Sequence, residues 1–191
     1  MDPPVVYIEK EPFLEMILAS IETFKRESFG YIFGYKPSKT RNSYVITNTA
    51  AVQLARKRRN SEIEQSKLGE RNMKNCFSQY PTLFRVIGDF HSHPEWGSHK
   101  GDPRLSEADI ADMVKTGYPL GIVIKISLVN KERILWQRAS DGGIKGSLGN
   151  YKFHINVCRV VKDREDNWTD ECMIIQAPAA IKSLNRALGY S

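Results

Sequence analysis

Apolar positions recur at near-helical spacing from Phe13 to Phe24, where Phe13, Leu14, Ile17, Leu18, Ile21 and Phe24 form a stripe. Pro12 suits the first turn of that predicted helix. The pattern then changes. Phe29-Gly30-Tyr31-Ile32-Phe33-Gly34-Tyr35 is aromatic and apolar between glycines, which predicts a buried strand, with Tyr44-Val45-Ile46-Thr47 as its neighbour across a polar loop. From about Ala50 to Tyr80 the chain is polar and predicts a helical excursion outside the core. Leu83 to Phe90 predicts a strand that delivers His91-Ser92-His93-Pro94, with Pro94 halting it. A loop rich in Gly, Pro and charge follows from Glu95 to Leu105, and a helix is predicted from Ser106 to near Gly117. Leu120–Leu128 reads as a central strand, and Ile134–Arg138 and Lys152–Val161 as later ones. Asp141-Gly142-Gly143 predicts a turn, Asp163–Asn167 a charged loop, and Ala179–Leu188 a short closing helix. Strands alternating with helices predict a mixed α/β (α+β) sandwich.

Composition narrows the picture. The 191 residues, 41% hydrophobic and 26% charged, fit one ordinary globular domain over residues 1–191. Cys76, Cys158 and Cys172 are odd in number and show no CxxC spacing, which argues against a disulfide framework and a cysteine-rich zinc site. The N-terminus lacks the pattern of a signal peptide, and the longest apolar run, around Leu120–Ile126, is broken by Lys125. The expectation is a soluble, cytoplasmic chain with no membrane partner. The net charge of +6 is partly concentrated in Arg56-Lys57-Arg58-Arg59. Such a run is expected to be a solvated helix face; a nucleic-acid partner is not expected, because no RNA-binding aromatic motif or basic recognition helix accompanies it.

The informative stretch is Gly88 to Asp112. On a strand, residues i and i+2 share a face, so His91 and His93 project together and can seize one metal ion. A catalytic zinc takes three protein ligands and keeps one open position. Asp109, one turn into the helix that starts at Ser106, is the candidate third ligand, and the positive end of the helix dipole keeps its carboxylate ionised. Two imidazoles and a carboxylate suit zinc better than magnesium or calcium. Each piece also has a plain structural reading: the two histidines as surface polar residues, and Ser106-Glu107-Ala108-Asp109 as a capping box.

Taken in order, HSHP and then S-x-x-D resembles the signature of the JAMM (MPN+) metalloprotease family. Ile87-Gly88-Asp89-Phe90 resembles that family's lead-in to the first histidine, and Glu27-Ser28-Phe29-Gly30-Tyr31-Ile32-Phe33-Gly34 its glutamate before a G-x-x-x-G stretch. The resemblance covers Phe13 to about Val161. It implies a curved mixed sheet flanked by helices, of JAMM/MPN (cytidine-deaminase-like) architecture. It further implies zinc on His91, His93 and Asp109, Glu27 as the acid/base and Ser106 as donor to the oxyanion. The implied substrate is a peptide or isopeptide bond next to a ubiquitin-like or sulfur-carrier protein. The small size without attached domains resembles the prokaryotic or archaeal members, and a homodimer is left open.

The chain departs from the pattern in two places. Thirteen positions separate His93 from Ser106, more than the family's usual spacing, so a lengthened loop holding Trp96, Ser98 and His99 lies beside the expected metal. His99 is either an extra ligand or an exposed loop histidine, and Trp96 either faces substrate or anchors the loop. The 50–80 excursion is the second departure and is expected to contact a substrate or partner. The alternative function class is a non-catalytic MPN-type scaffold, whose members usually lack one or more ligands. Deamination is not expected, because the chain has no P-C-x-x-C pair.

Overall fold

A computed structural model describes residues 5–52, 55–58, 63–65, 67–129 and 133–189. In chain order the elements are β1 (Val5–Ile8), α1 (Lys10–Glu22), β2 (Phe29–Tyr35), β3 (Ser43–Ala51), β4 (Ala55–Arg58), β5 (Ile63–Gln65), α2 (Lys67–Gln79) and β6 (Val86–Glu95). There follow α3 (Glu107–Thr116), β7 (Leu120–Leu128), β8 (Gln137–Arg138), β9 (Ile144–Leu148), β10 (Tyr151–Lys162), β11 (Trp168–Cys172), β12 (Ile175–Gln176) and α4 (Pro178–Ala187). Ten strands form one mixed sheet in the order β12-β1-β3-β2-β6-β7-β10-β9-β8, with β11 also on β10, while β4 and β5 pair separately. The α+β expectation therefore holds.

The centre of the sheet is β2-β6-β7. β2 runs antiparallel to β6, and β6 parallel to β7. A parallel pair needs a crossover, which α3 supplies. Alternation along β6 divides its residues between two faces. Phe90 joins the main core with Phe13, Met16 and Ile17 of α1, Ile122 and Ile124 of β7, and Ala180 and Leu184 of α4. Trp136 is fully buried in this core, edge-on to Phe13 at 5.7 Å and stacked on Phe153 at 5.6 Å. The other face carries an aromatic cluster of Tyr31, Phe33, Phe84 and the α2 residue Phe77, and a smaller apolar cluster of Leu105, Met113, Val123 and Cys158 under α3. Asp89, His91 and His93 belong to this second face.

Several boundaries differ from the expectations. α1 starts three residues early, and its buried face is Pro12, Phe13, Met16, Ile17, Ala19 and Ser20; Leu18 is 58% exposed. The 50–80 excursion is helical only from Lys67, because its first half is the β4-β5 pair. Arg56, Lys57 and Arg58 thus lie on a strand rather than a helix face, and Arg59 is outside the described residues. The strand expected over Ile134–Arg138 shrinks to Gln137–Arg138.

Pro94 does not halt β6, which continues to Glu95. The reason lies in the ladder. Ser92 N–H points to the carbonyl of Ser28, 3.1 Å away. The nitrogen of Pro94, two residues on, points to that same side, where β2 has already ended at Phe29 opposite His91. A missing donor there removes no ladder bond.

Candidate metal centre

β6 brings His91 and His93 to the carboxyl end of the parallel β6-β7 pair, and α3 brings its N-terminus to the same place. Ser106 caps α3 as the sequence predicts. Its Oγ accepts from Asp109 N–H at 3.2 Å, and its own N–H donates to Asp109 Oδ2 at 2.7 Å, a reciprocal capping box. At the far end Gly117, at φ 69, takes the left-handed conformation that closes the helix. The first turn is thereby fixed from both sides of the Asp109 side chain, and Oδ2 is aimed at the two imidazoles.

Asp109 Oδ2 lies 3.4 Å from His91 Nε2 and 3.7 Å from His93 Nε2. The imidazole rings are tilted, 4.8 Å apart at their centroids. Ligand atoms on a tetrahedral ion with bonds of ~2.0–2.1 Å stand about 3.3–3.5 Å apart, so spacings of 3.4 and 3.7 Å are close to those one shared ion needs. These three residues form a group able to hold a metal ion.

The protonation states point the same way. His93 Nδ1 lies 2.7 Å from the carbonyl of Asp102, in the lengthened loop. A carbonyl only accepts, so Nδ1 carries the proton and Nε2 keeps its lone pair, the outer contact typical of metal-bound histidine. Burial lowers the pKa of His93, with the charge of His91 acting in the same direction, and keeps it neutral. His91 Nε2 is buried and makes no directed hydrogen bond among the described residues. Burial pulls the pKa of His91 down, but the carboxylates of Asp109, Asp89 and Glu27 outweigh it and raise the value. The site thus favours a positive charge at this point. Burial also works against the charge on Asp109, yet the nearby His91 imidazole and hydrogen bonds from Ser106 hold its carboxyl far below the usual range.

Glu27 sits beside this group. It is 9% exposed, and the next residue, Ser28, is tied to Ser92 between the two histidines. Its charge bears on His91. Of the five residues singled out from the sequence, His91, His93, Asp109 and Ser106 are brought into contact, and Glu27 lies within electrostatic reach of His91. Ser106 differs in detail: its hydroxyl is engaged with Asp109 Oδ2 at 2.6 Å rather than free.

The lengthened loop is ordered by a tight turn in which Trp96 and His99 exchange backbone hydrogen bonds of 3.3 and 3.0 Å. His99 lies outside the ligand group. Trp96 is half-buried with Lys25 Nζ 5.2 Å from its ring centre, the position of a loop anchor against the segment leading to Glu27.

Two contributors were not read from the sequence. The Asp102 carbonyl carries no sequence signal, since any residue offers a carbonyl. Asp89 could have been found, because it lies two positions before His91 on the same strand and so on the same face.

A second group of potential ligands, Cys158, Asp170 and Cys172, lies under the back of α3. Nothing in the spacing of these cysteines along the chain pairs them. Among the described residues no helix is long and apolar enough to cross a membrane. Compared with known proteins, the chain matches no family model and no curated sequence.

Proposed function

We propose that the chain is a zinc-dependent peptidase or isopeptidase that hydrolyses a bond next to a ubiquitin-like or sulfur-carrier protein. The observation that carries this reading is the convergence of His91 Nε2, His93 Nε2 and Asp109 Oδ2 beside the buried Glu27. The resemblance to the JAMM (MPN+) signature supplies the substrate class.

In this reading His91, His93 and Asp109 hold the ion. A zinc ion held there would supply a Lewis acid able to activate water at neutral pH. Glu27 takes a proton from the attacking water and delivers it to the leaving amine as the C–N bond breaks. Ser106 has two tasks: it orients Asp109 in the resting site, and its O–H donates to the carbonyl oxygen as negative charge develops, a contribution of about 3–4 kcal/mol for a well-placed donor. Burial of Asp89 behind the histidines keeps that side of the site free of bulk water.

The test is metal content by mass spectrometry, followed by cleavage of a panel of ubiquitin-like and sulfur-carrier conjugates. It is done in a Cys172→Ser background, so that metal on the second cluster cannot be mistaken for metal on the first. About one zinc per chain is expected, lost in Asp109→Asn. Glu27→Gln is expected to retain zinc while turnover falls roughly 10²–10⁴-fold. A chain that takes up no zinc on reconstitution overturns this reading and puts the non-catalytic scaffold first.

A further inference from the structure

Cys158 and Cys172 stand directly opposite each other on β10 and β11. Met173 N–H donates to the Val157 carbonyl at 2.8 Å, which makes the cysteines a non-hydrogen-bonded pair, the cross-strand position where side chains approach most closely. Their Sγ atoms are 2.8 Å apart and both thiols are free. Two thiolates on a tetrahedral zinc, with bonds of ~2.3 Å, would stand about 3.7 Å apart, whereas a disulfide needs ~2.05 Å. The remaining ligand of the cluster is already engaged: Arg104 donates to Asp170 Oδ2 at 3.1 Å and to Oδ1 at 2.5 Å. The cluster is built to join its sulfurs to each other rather than to a metal.

The two thiols differ in a way that gives each a role. Cys158 is fully buried against Leu105, Met113 and Val123, while Cys172 is partly exposed. The hydrogen bond to Cys172, with burial behind it, pushes the pKa of Cys158 up; the same bond pulls Cys172 down. Its exposure makes Cys172 the thiol that meets an oxidant first, and Cys158, buried behind it, the thiol that resolves.

We propose that Cys158 and Cys172 are a reversible dithiol–disulfide site, closed by peroxide and reopened by a thiol reductant. The Cys172 thiolate attacks one peroxide oxygen, the O–O bond breaks, and a sulfenic acid and one water result once a proton is taken up. The Cys158 sulfur then attacks the sulfenic sulfur, the S–O bond breaks, a second water leaves, and the S–S bond forms. One peroxide is reduced to two waters as two thiols are oxidised. The bond staples β11 to β10 beneath the apolar seat of α3, where Ile110 and Met113 pack with both cysteines. The redox state thus sets the rigidity of the platform carrying Asp109. This inference stands whether or not the protein is a peptidase.

The full chain, stripped of metal, is treated with equimolar hydrogen peroxide and analysed as intact protein and as peptides by mass spectrometry. The expected product has lost two hydrogens, links the peptides of Cys158 and Cys172, leaves Cys76 free, and reverts with dithiothreitol. Its Tm is expected to rise on the order of 5–10 °C over the reduced form. Cys172→Ser is expected to abolish both changes. If Cys158→Ser folds, it is expected to stop at a sulfenic acid on Cys172. A wild-type chain that yields no 158–172 link, or links Cys76 instead, overturns the proposal.

Discussion

Ser28 and Ser92 grip each other across the start of β2 and the middle of β6. Ser28 N–H donates to Ser92 Oγ at 2.8 Å, and Ser92 N–H donates to the Ser28 carbonyl at 3.1 Å. The first of these bonds extends the β2-β6 pairing beyond Phe29–His91 with a side chain, and so fixes Glu27 relative to the two histidines. Both serines are almost fully buried, and Ser20 of α1 approaches Ser28 Oγ at 3.3 Å.

Ser92→Ala leaves the buried Ser28 N–H without its acceptor. Loss of such a partner costs about 1–3 kcal/mol. Urea unfolding is expected to show that loss with an unchanged m-value. An unchanged midpoint would mean that the Ser28 N–H finds another acceptor and that the grip does not hold Glu27.

Gly101→Ala is expected to weaken metal binding without touching a ligand. A Cβ at Gly101 would stand 2.5 Å from the His93 carbonyl oxygen, so the loop must shift. That shift disturbs the neighbouring Asp102 carbonyl, which holds His93 Nδ1. Outer contacts of this kind are worth about 10–100-fold in affinity. Competition with a chromogenic chelator measures it, and affinity equal to wild type would remove the loop from the metal's support.

Gly88→Ala probes the β6-β7 seam. Its Cβ would meet the Leu120 carbonyl oxygen at 2.0 Å, backbone that cannot step aside without parting the strands. Overpacking of this sort costs about 1–3 kcal/mol or more. Thermal unfolding is expected to show a marked fall in Tm; a near-normal Tm would contradict the tight parallel pairing.

Asp89 gives the metal-free protein a pH signature. Burial, with repulsion from Asp112 and Asp109 and against attraction by His91, pushes its carboxyl up to about 7. Between the ordinary value of 3.8 and about 7 the native state holds a proton that the unfolded chain has released. Stability contributed by Asp89 is therefore full below the lower value and lost as pH rises through this window. Asp89→Asn is expected to flatten the decline between about pH 4 and about 7, and because both proteins carry the same histidines the difference between their curves reports Asp89. Parallel pH–stability curves for the two proteins would show that Asp89 is ionised in the native chain.

Much of the site was legible because its parts are local. His91 and His93 follow from strand alternation, and Ser106 and Asp109 from the helix start, since both depend on spacings of two and three residues. What stayed hidden depends on distance in sequence. The Cys158–Cys172 contact needs the β10-β11 register, and no cysteine spacing announces it. The β4-β5 pair was read as helix because its polar residues offer no alternation against a core. The continuation of β6 through Pro94 was missed because whether a proline breaks a strand depends on which edge its nitrogen faces, and that is set by where β2 ends.

That last feature has a bearing on the ligand strand itself. Beyond Ser92, β6 has no strand paired on its β2 side among the described residues, and Pro94 there is buried. A donor would be due at position 94, and the proline takes it away. An amide buried there without an acceptor would cost about 1–3 kcal/mol, so the proline lets β6 run past His93 to Glu95 without an orphaned donor and keeps its backbone extended beside the loop.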